Sequence, residues 1–353
     1  MNITVTRTDQ PKTKPADDKL GFGSLFTDHM FNMDYTPEKG WHNPRIEPYG
    51  PIVMDPATMV LHYGQEVFEG LKAYRKPDGG IQLFRPLENI RRMNRSCRRL
   101  CIPEMDETVI LEALKALVDL ERDWVPGSPG TSLYIRPTVI AMDPFLGVRA
   151  SHTYRFFIIL SPVGAYYPEG FNPIKILVSK DYVRAVRGGV GEAKTCGNYA
   201  ASLLAGDVAH REGYTQVLWL DGVELKYIEE VGSMNIFFVI DGEIVTPELN
   251  GSILPGVTRN SVLELVRAWG LAVSERKISI DDVMAAQRSG KLTEIFGSGT
   301  AAVISPVGEL KYADTVITVG DGQVGPVSNR LYQALTDIQF GLTQGPEGWI
   351  ESV

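Results

Sequence analysis

Apolar residues follow a helical pattern in two stretches of the first half of the chain. From Leu87 to Cys101 they recur at intervals of three and four residues, which predicts a helix with one buried face. The same spacing predicts a second helix from about Thr108 to Glu121. Two apolar runs that follow, at 132–140 and 154–160, are predicted to be strands. The first half is therefore expected to combine helices and strands.

The second half is predicted to be rich in strands, with antiparallel pairs. Strands are expected at 174–179 and 216–220. Asp221-Gly222 and Asp241-Gly242 each lie between apolar runs, which is the strongest short signal for a β-hairpin. A doubly wound parallel sheet is therefore not expected. The pattern also predicts four helices, at about 200–211, 260–269, 281–288 and 328–338.

A stretch rich in proline and glycine, from 161 to 173, is typical of a linker. A chain of 353 residues is long for one ordinary core, so two domains are expected. The predicted organisation has four parts. They are a flexible N-terminal arm at 1–18, a small α/β domain at 19–163, an interdomain linker at 164–173 and a larger, strand-rich domain at 174–353.

Composition narrows the classes of function. The chain has 35 Lys and Arg against 43 Asp and Glu, a net charge of −8, which argues against a general affinity for nucleic acid or anionic membranes. Three cysteines form no even framework, which favours a reduced, cytoplasmic compartment. The histidines and cysteines do not have the spacing of metal ligands, so no metal site is predicted.

Lys194 is the first candidate for chemistry, because it lies in a glycine-rich, turn-forming segment at 188–199. A lysine held there could form a Schiff base with a carbonyl cofactor, although a solvated surface charge is the ordinary alternative. Glu230 follows an apolar stretch and could keep a pyridine nitrogen protonated, or could be a charge at a strand edge. Tyr199 could donate to a ring oxygen or pack in the core.

Two turns look suited to a phosphate group. The turn at 254–258 ends where a helix is predicted to begin, so backbone N–H groups and the helix dipole would face an anion. The segment at 296–302 offers further amides and hydroxyls. The arginines of the helix at 87–101 are ordinarily a solvated face, and the acidic chain disfavours nucleic-acid binding by them.

These residues match a known pattern over nearly the whole chain. The motifs include Phe68-Glu69-Gly70, Leu133-Tyr134-Ile135-Arg136-Pro137, Gly191-Glu192-Ala193-Lys194, Glu230-Val231-Gly232-Ser233 and Gly297-Ser298-Gly299-Thr300. The chain resembles the branched-chain amino acid aminotransferases, which are pyridoxal-phosphate enzymes of fold type IV. The resemblance implies an α+β fold of two domains and a homodimer. It also implies transamination between Leu, Ile or Val and 2-oxoglutarate, giving 2-oxo acids and L-glutamate.

The resemblance also implies roles for individual residues. Lys194 would bind pyridoxal 5'-phosphate and move protons, Glu230 would face the pyridine nitrogen, and Tyr199 would face the ring oxygen. The remaining cofactor-binding residues would be Arg92, Ser233, Val257, Thr258 and Thr300. The substrate would contact Phe26, Phe68, Tyr134, Arg136, Tyr166 and Ala301, with Tyr63, Leu146 and Val148 reaching in from a second subunit. Arg136 would meet the distal carboxylate of glutamate.

Other functions remain open to test at this point. Relatives with the same fold type include D-amino acid aminotransferases and a lyase that acts on aminodeoxychorismate, but Tyr134 with Arg136 favours the branched-chain enzymes. A non-enzymatic protein that binds a phosphate ligand is the third alternative. Residues 302–305 stand where mammalian members carry a redox Cys-x-x-Cys, so thiol regulation is not expected there. Cys196 has no role implied by a motif, and packing is its expected role.

Overall fold

The computed structural model describes residues 2–164 and 170–353, and the chain divides into two compact units. The first unit comprises Met1–Tyr166, Ala193–Cys196 and Asp337–Val353, and the second comprises Tyr167–Glu192 and Gly197–Thr336. Among the described residues, no helix has both the length and the apolar character needed to cross a membrane.

Up to residue 164 the elements are eight strands and three α-helices. They are β1 (Thr4–Val5), β2 (His29–Thr36), β3 (Gly40–Pro48), α1 (Met59–Tyr63), β4 (Glu66–Phe68), β5 (Leu71–Arg75), β6 (Ile81–Phe84), α2 (Pro86–Arg99), α3 (Glu107–Leu120), β7 (Ser132–Ala141) and β8 (Tyr154–Val163).

Beyond residue 170 the strands outnumber the helices. The elements are β9 (Ile174–Val178), α4 (Cys196–Arg211), β10 (Gln216–Leu220), β11 (Ile228–Val231), β12 (Met234–Ile240), β13 (Glu243–Thr246), α5 (Val257–Ala268), β14 (Val273–Glu275), α6 (Ile280–Arg288), β15 (Leu292–Gly299), β16 (Val303–Tyr312), β17 (Thr315–Thr318), α7 (Pro326–Gln339) and β18 (Ile350–Ser352).

The first unit is built on one sheet with strand order β1-β3-β2-β8-β7-β5-β6-β18, and β4 pairs with β7. Its pairs are antiparallel except for β1 with β3. Helices α2 and α3 bury an apolar face in the core of this unit, through residues such as Ile90, Met93, Ile110 and Leu114. The Asp106 side chain caps α3 by accepting from the backbone N–H groups of its first turn.

The sheet of the second unit has strand order β11-β10-β9-β16-β15-β12-β13-β14, with β17 beside β16. Because β11 also pairs with β12, the strands from β11 through β16 and β15 to β12 close into a ring. Most pairs are antiparallel, but β9 runs parallel to both β10 and β16, and β13 runs parallel to β14. The predicted absence of a doubly wound parallel sheet agrees with this mixed, largely antiparallel arrangement.

Each helix that spacing predicted is present, with its ends shifted by a few residues. The hairpin predicted at Asp241-Gly242 joins β12 to β13, and both residues have positive φ, as a two-residue hairpin turn requires. At Asp221-Gly222 the connection is longer. The Asp221 carboxylate accepts from four backbone N–H groups between Val223 and Tyr227 and so organises a loop before β11 begins.

Residues of the segment 1–18, which composition suggested to be a loose arm, contact the rest of the first unit. Strand β1 pairs with β3, and the backbone N–H of Lys12 donates to Asp28 at 2.8 Å. The Asp17 carboxylate accepts from the N–H groups of Gly127 and Ser128 at 3.0 and 2.9 Å. Backbone groups of β1 and Lys12 and the side chain of Asp17 therefore hold this segment in place.

The other end of the chain also belongs to the first unit. Strand β18 pairs with β6, and the Gln82 amide donates to the carbonyls of Ile338 and Gln339 at 2.9 Å. The expected domain at 174–353 is therefore not continuous, because its last residues complete the sheet that begins the chain. Of the expected linker at 164–173, residues 165–169 lie outside the described part of the structure.

Candidate active site

The backbone around Lys194 is tied to the first unit at both its amide and its carbonyl. Its N–H donates to the Ser96 hydroxyl at 2.9 Å, and its carbonyl accepts from the N–H of Phe68 at 3.0 Å. The amine lies 4.9 Å from the centre of the Phe68 ring. Next along the chain, the Thr195 hydroxyl donates to the carbonyl of Glu66 at 2.7 Å. The lysine is thus held against β4 and α2.

Glu69 and Arg92 form a buried ion pair in the same unit. Nε and Nη2 of Arg92 donate to the two carboxylate oxygens of Glu69 at 2.8 and 2.9 Å, and Asn89 donates at 2.9 Å. Burial alone would raise the pKa of Glu69, but the charges of Arg92 and Lys194 and these hydrogen bonds outweigh it, so its pKa is lowered. Sequence analysis assigned Arg92 a role but overlooked Glu69, although it stands inside a quoted motif.

In the same unit, two aromatic rings pack against one arginine. Nη2 of Arg136 donates to the Tyr134 hydroxyl at 3.0 Å, and its guanidinium lies 4.7 Å from the centre of the Phe68 ring. Gly70 allows this packing, because a Cβ at that position would lie 2.1 Å from the Tyr134 hydroxyl oxygen. The structure therefore brings together three of the predicted pocket residues.

Two aromatic residues of the N-terminal segment each pack against another ring. Phe26, predicted to line the pocket, stacks on Tyr49 with the ring centres 5.1 Å apart. Phe22 packs edge to face on Tyr134 at 5.2 Å. Sequence analysis missed Phe22 because a single aromatic residue between glycines carries no periodic signal. Tyr166, another predicted pocket residue, lies outside the described residues.

An exposed apolar surface is formed by α1 and the loop that follows β7. The Tyr63 hydroxyl donates to the carbonyl of Leu146. Leu146 is 61% exposed and Val148 is 85% exposed, although both are apolar. Leu61 and Phe145 add to the same surface. Such a patch is typical of a surface that binds a partner.

Cys196 lies close to Lys194 in sequence, and its thiol faces the body of the first unit. Its Sγ donates to the carbonyl of Gly64 at 3.4 Å. Burial and the nearby Glu66 carboxyl raise the pKa of the thiol, so the protonated form is favoured. Packing, the role expected from the sequence, agrees with this environment.

The second unit holds Glu230 in the middle of β11, where it is 2% exposed. Nε of Arg184 lies 2.7 Å from one carboxylate oxygen, and the Asn235 amide donates to the other at 3.2 Å. The same amide donates to the carbonyl of Leu254 at 2.9 Å. Sequence analysis identified Glu230 but neither of these partners, since an isolated arginine or asparagine gives no motif.

The two turns proposed for a phosphate are a helix terminus and a strand turn. Helix α5 begins at Val257 after Gly256, and this glycine has no side chain that could cap the amino end of the helix. Thr258 is buried in the first turn. Thr300 and Ala301 lie in the turn that joins β15 to β16. Both turns therefore present backbone amides and hydroxyls, which are the groups that bind an anion.

The predicted site residues are divided between the two units. The first unit contains Lys194, Arg92, Phe68, Tyr134 and Arg136, together with the exposed Tyr63, Leu146 and Val148. The second contains Tyr199 in the first turn of α4, Glu230, Val257, Thr258, Thr300 and Ala301, with Ser233 exposed between β11 and β12.

The family profile described as Amino-transferase class IV matches residues 66–310. Branched-chain-amino-acid aminotransferase 2 of Bacillus subtilis (strain 168) is 59% identical over 353 residues, which is 100% of this chain and 97% of the relative. Branched-chain-amino-acid transaminase 1 of the same organism is 60% identical over 343 residues, 97% of this chain and 96% of the relative.

Solved structures of branched-chain amino acid aminotransferases are also similar to this chain. The branched-chain amino acid aminotransferase of Escherichia coli superposes with a TM-score of 0.78 at 30% identity, covering 92% of this chain and 98% of that one. The T.th. branched-chain amino acid aminotransferase with pyridoxamine 5'-phosphate has a TM-score of 0.76 at 28% identity, covering 94% and 98%. The chain belongs to the branched-chain-amino-acid aminotransferase family of class IV aminotransferases. The expected family and the two-domain α+β fold of type IV are therefore confirmed.

Proposed function

We propose that the protein transfers an amino group between L-leucine, L-isoleucine or L-valine and 2-oxoglutarate, with pyridoxal 5'-phosphate as cofactor. The products are the branched-chain 2-oxo acids and L-glutamate. The observation that carries this proposal is the cluster in which Arg136 lies against Phe68 and Tyr134, in the unit that also holds Lys194. Aromatic walls suit an aliphatic side chain, and one arginine suits the second carboxylate of glutamate.

The residues present fit the cofactor. The amino end of α5, whose N-cap residue is Gly256, suits a phosphate dianion, and Ser298 on β15 has a buried hydroxyl without a hydrogen-bond partner among the described residues. The proposed cofactor-binding residues are Lys194, Arg92, Tyr199, Glu230, Ser233, Val257, Thr258 and Thr300. When bound, pyridoxal phosphate supplies a ring that draws electrons from the substrate α-carbon.

The protein's own groups would move the protons and fix the substrate. The Lys194 amine would remove the proton from the substrate α-carbon and would then donate a proton to the cofactor. The Glu230 carboxylate would hold positive charge on the ring nitrogen, and the Tyr199 hydroxyl would donate to the ring oxygen. The Ala301 N–H would bind the α-carboxylate, while Arg136 would bind the distal carboxylate of glutamate.

Solved relatives support the choice of both substrate types. The T.th. branched-chain amino acid aminotransferase is described in complex with N-(5'-phosphopyridoxyl)-L-glutamate, and the same protein in complex with 4-methylvaleric acid. An acidic and an aliphatic compound thus bind one member of the fold. One methylene in an apolar pocket changes binding by only about 1–3 kcal/mol, so discrimination among Leu, Ile and Val is expected to be weak.

We also propose that the protein is a homodimer, in which Tyr63 and residues 146–148 reach the active site of the neighbouring subunit. The exposed apolar side chains of this surface support the proposal, because burying them against a second copy removes them from water.

A substrate panel with separate half-reactions tests the proposed function. The purified protein should convert L-leucine, L-isoleucine and L-valine, and 2-oxoglutarate should complete the cycle as amino acceptor. The colour of the bound cofactor should change with each half-reaction. Turnover of D-alanine in place of the L-amino acids would contradict the proposal, as would a protein that stays colourless after the cofactor is added.

A further inference from the structure

Arg184 is a buried arginine, 9% exposed, in the loop that follows β9. Its guanidinium contacts three separate segments of the second unit. Nε lies 2.7 Å from Oε2 of Glu230, Nη1 donates to the carbonyl of Ser252 at 2.9 Å, and Nη2 donates to the carbonyl of Gly191 at 3.2 Å. Because guanidinium groups stay charged in proteins, this side chain is a fixed cation at the carboxylate.

Each of the three segments leads directly to a proposed cofactor-binding residue. Glu230 is itself one of them. Gly191 precedes Lys194 by three residues in the sequence, and Ser252 precedes the turn that starts α5. One side chain therefore joins the strand of the ring-facing carboxylate to the loops before the lysine and before the phosphate turn.

The surroundings of Glu230 show why a cation is needed there. A carboxylate that is 2% exposed is costly unless it is paired and hydrogen-bonded. Asn235 donates to one oxygen, and Arg184 faces the other. The neighbouring Glu229 is also buried, and its carboxylate accepts from Ser252 and Asn250, with Asn250 at 3.3 Å. Without Arg184, two adjacent buried acids would lose a cation whose charge acts on both of them.

We propose that Arg184 is a positioning residue of the transamination reaction: it keeps Glu230 ionised and aimed at the cofactor's ring nitrogen. The inference rests on the proposed function, because it assumes that Glu230 faces that nitrogen. Loss of the arginine charge would favour a protonated Glu230, which could no longer stabilise positive charge on the ring. The ring would then draw electrons from the substrate less strongly.

Two substitutions separate the charge of Arg184 from its role as an anchor. Arg184→Met removes both the charge and the carbonyl hydrogen bonds, whereas Arg184→Lys keeps a charge near Glu230. For Arg184→Met we expect an altered absorption spectrum of the bound cofactor. We also expect kcat to fall roughly 10- to 100-fold, which is the loss seen when a residue that orients a metal-binding side chain is replaced. Arg184→Lys should keep the wild-type absorption maximum and most of kcat while lowering the unfolding temperature.

Arg259→Met is the matched control. Arg259 is buried to a similar degree in the same unit, and it also donates to a carboxylate and a carbonyl, those of Glu275 and Pro247, at 2.8 and 2.9 Å. Its loss should lower the unfolding temperature and leave the cofactor spectrum unchanged.

Two results would overturn the inference. One is an Arg184→Met protein with wild-type spectrum and kcat. The other, which decides the matter even where Arg184→Met does not fold, is an Arg184→Lys protein whose spectrum differs from that of wild type. Failure of the proposed function is distinguishable, since the wild-type protein itself would then not convert branched-chain amino acids.

Discussion

At the scale of single residues, Arg136 carries the proposed ability of one pocket to accept two kinds of side chain. Its guanidinium lies over the Phe68 ring and donates to the Tyr134 hydroxyl. An aliphatic substrate would contact the rings, whereas the distal carboxylate of glutamate would pair with the guanidinium. The two half-reactions therefore depend on different groups of the same cluster.

Arg136→Ala should damage turnover of glutamate far more than turnover of leucine. The reason is that only glutamate brings a second carboxylate, whose charged hydrogen bonds to arginine are about twice as strong as neutral ones. The measurement is kcat/KM for each amino acid in single half-reactions. Equal losses for the two substrates would remove Arg136 from this role.

Glu69 is the residue whose electrostatics most clearly predict an effect on stability. It is buried and paired with Arg92, and its pKa is lowered in the folded protein. Glu69→Gln should therefore destabilise the protein by about 3–5 kcal/mol, the usual cost of breaking a buried ion pair. Urea unfolding of both proteins at neutral pH measures this difference.

The pH dependence of that difference follows from the sign of the shift. A carboxyl whose folded pKa is depressed contributes its stability above its unfolded pKa, and that contribution is lost as the pH falls through the folded pKa. The advantage of the wild type over Glu69→Gln should thus shrink below about pH 4.3, the ordinary glutamate pKa. An advantage that does not change with pH would show that the charge of Glu69 is not its source.

At the scale of elements, the connection from β4 to β5 controls the position of the Tyr134 ring. Gly70→Ala would place a Cβ 2.1 Å from the Tyr134 hydroxyl oxygen, so the ring must move and take its contact with Arg136 along. We expect higher KM values for leucine and for glutamate. Gly206→Ala in α4 is the control, because a Cβ there meets nothing within 4 Å.

The Gly206→Ala variant should be as active as the wild type. It should be as stable or slightly more stable, since alanine stabilises a helix interior by about 0.5–1 kcal/mol relative to glycine. Steady-state kinetics with each amino acid distinguish the two variants. Unchanged KM values for Gly70→Ala would mean that the Tyr134 ring does not shape the substrate site.

Helices and strands differ in how well the sequence predicts them. Helices α2, α3 and α5 have one apolar face each, and that periodicity located them. Strands β2 and β3 were not predicted. In β3 the residues Pro44 and Pro48 are typical of loops and not of strands. Pairing with β2 on one side holds β3 in the sheet, and such long-range pairing leaves no local signal.

The candidate site shows the same division. Lys194 and Glu230 stood in motifs, and the resemblance to the family selected Arg92, so the sequence could propose all three. Arg184 could not, because its contacts join segments that lie far apart in sequence, 68 residues in the case of Ser252. Residues that act by holding another residue are defined by the fold and not by their neighbours along the chain.

At the scale of the whole molecule, the proposed dimer predicts that two inactive variants can complement each other. Lys194→Ala removes the proposed catalytic amine, and Tyr63→Ala alters a side chain proposed to serve the neighbouring subunit's site. In a mixed dimer the Lys194→Ala subunit would lend its intact Tyr63 to the site of the other subunit, which still has Lys194. One complete site would therefore form.

Co-expression with two different affinity tags allows the mixed dimers to be purified and assayed. In an unsorted mixture we expect roughly a quarter of wild-type sites, because half of randomly paired dimers are mixed and each has one intact site. The same experiment with Tyr63→Phe in place of Tyr63→Ala is the control, because phenylalanine keeps the ring and lacks only the hydroxyl. If each subunit supplied its own Tyr63, both sites of the mixed dimer would be defective, and purified mixed dimers would show no gain over the separate variants.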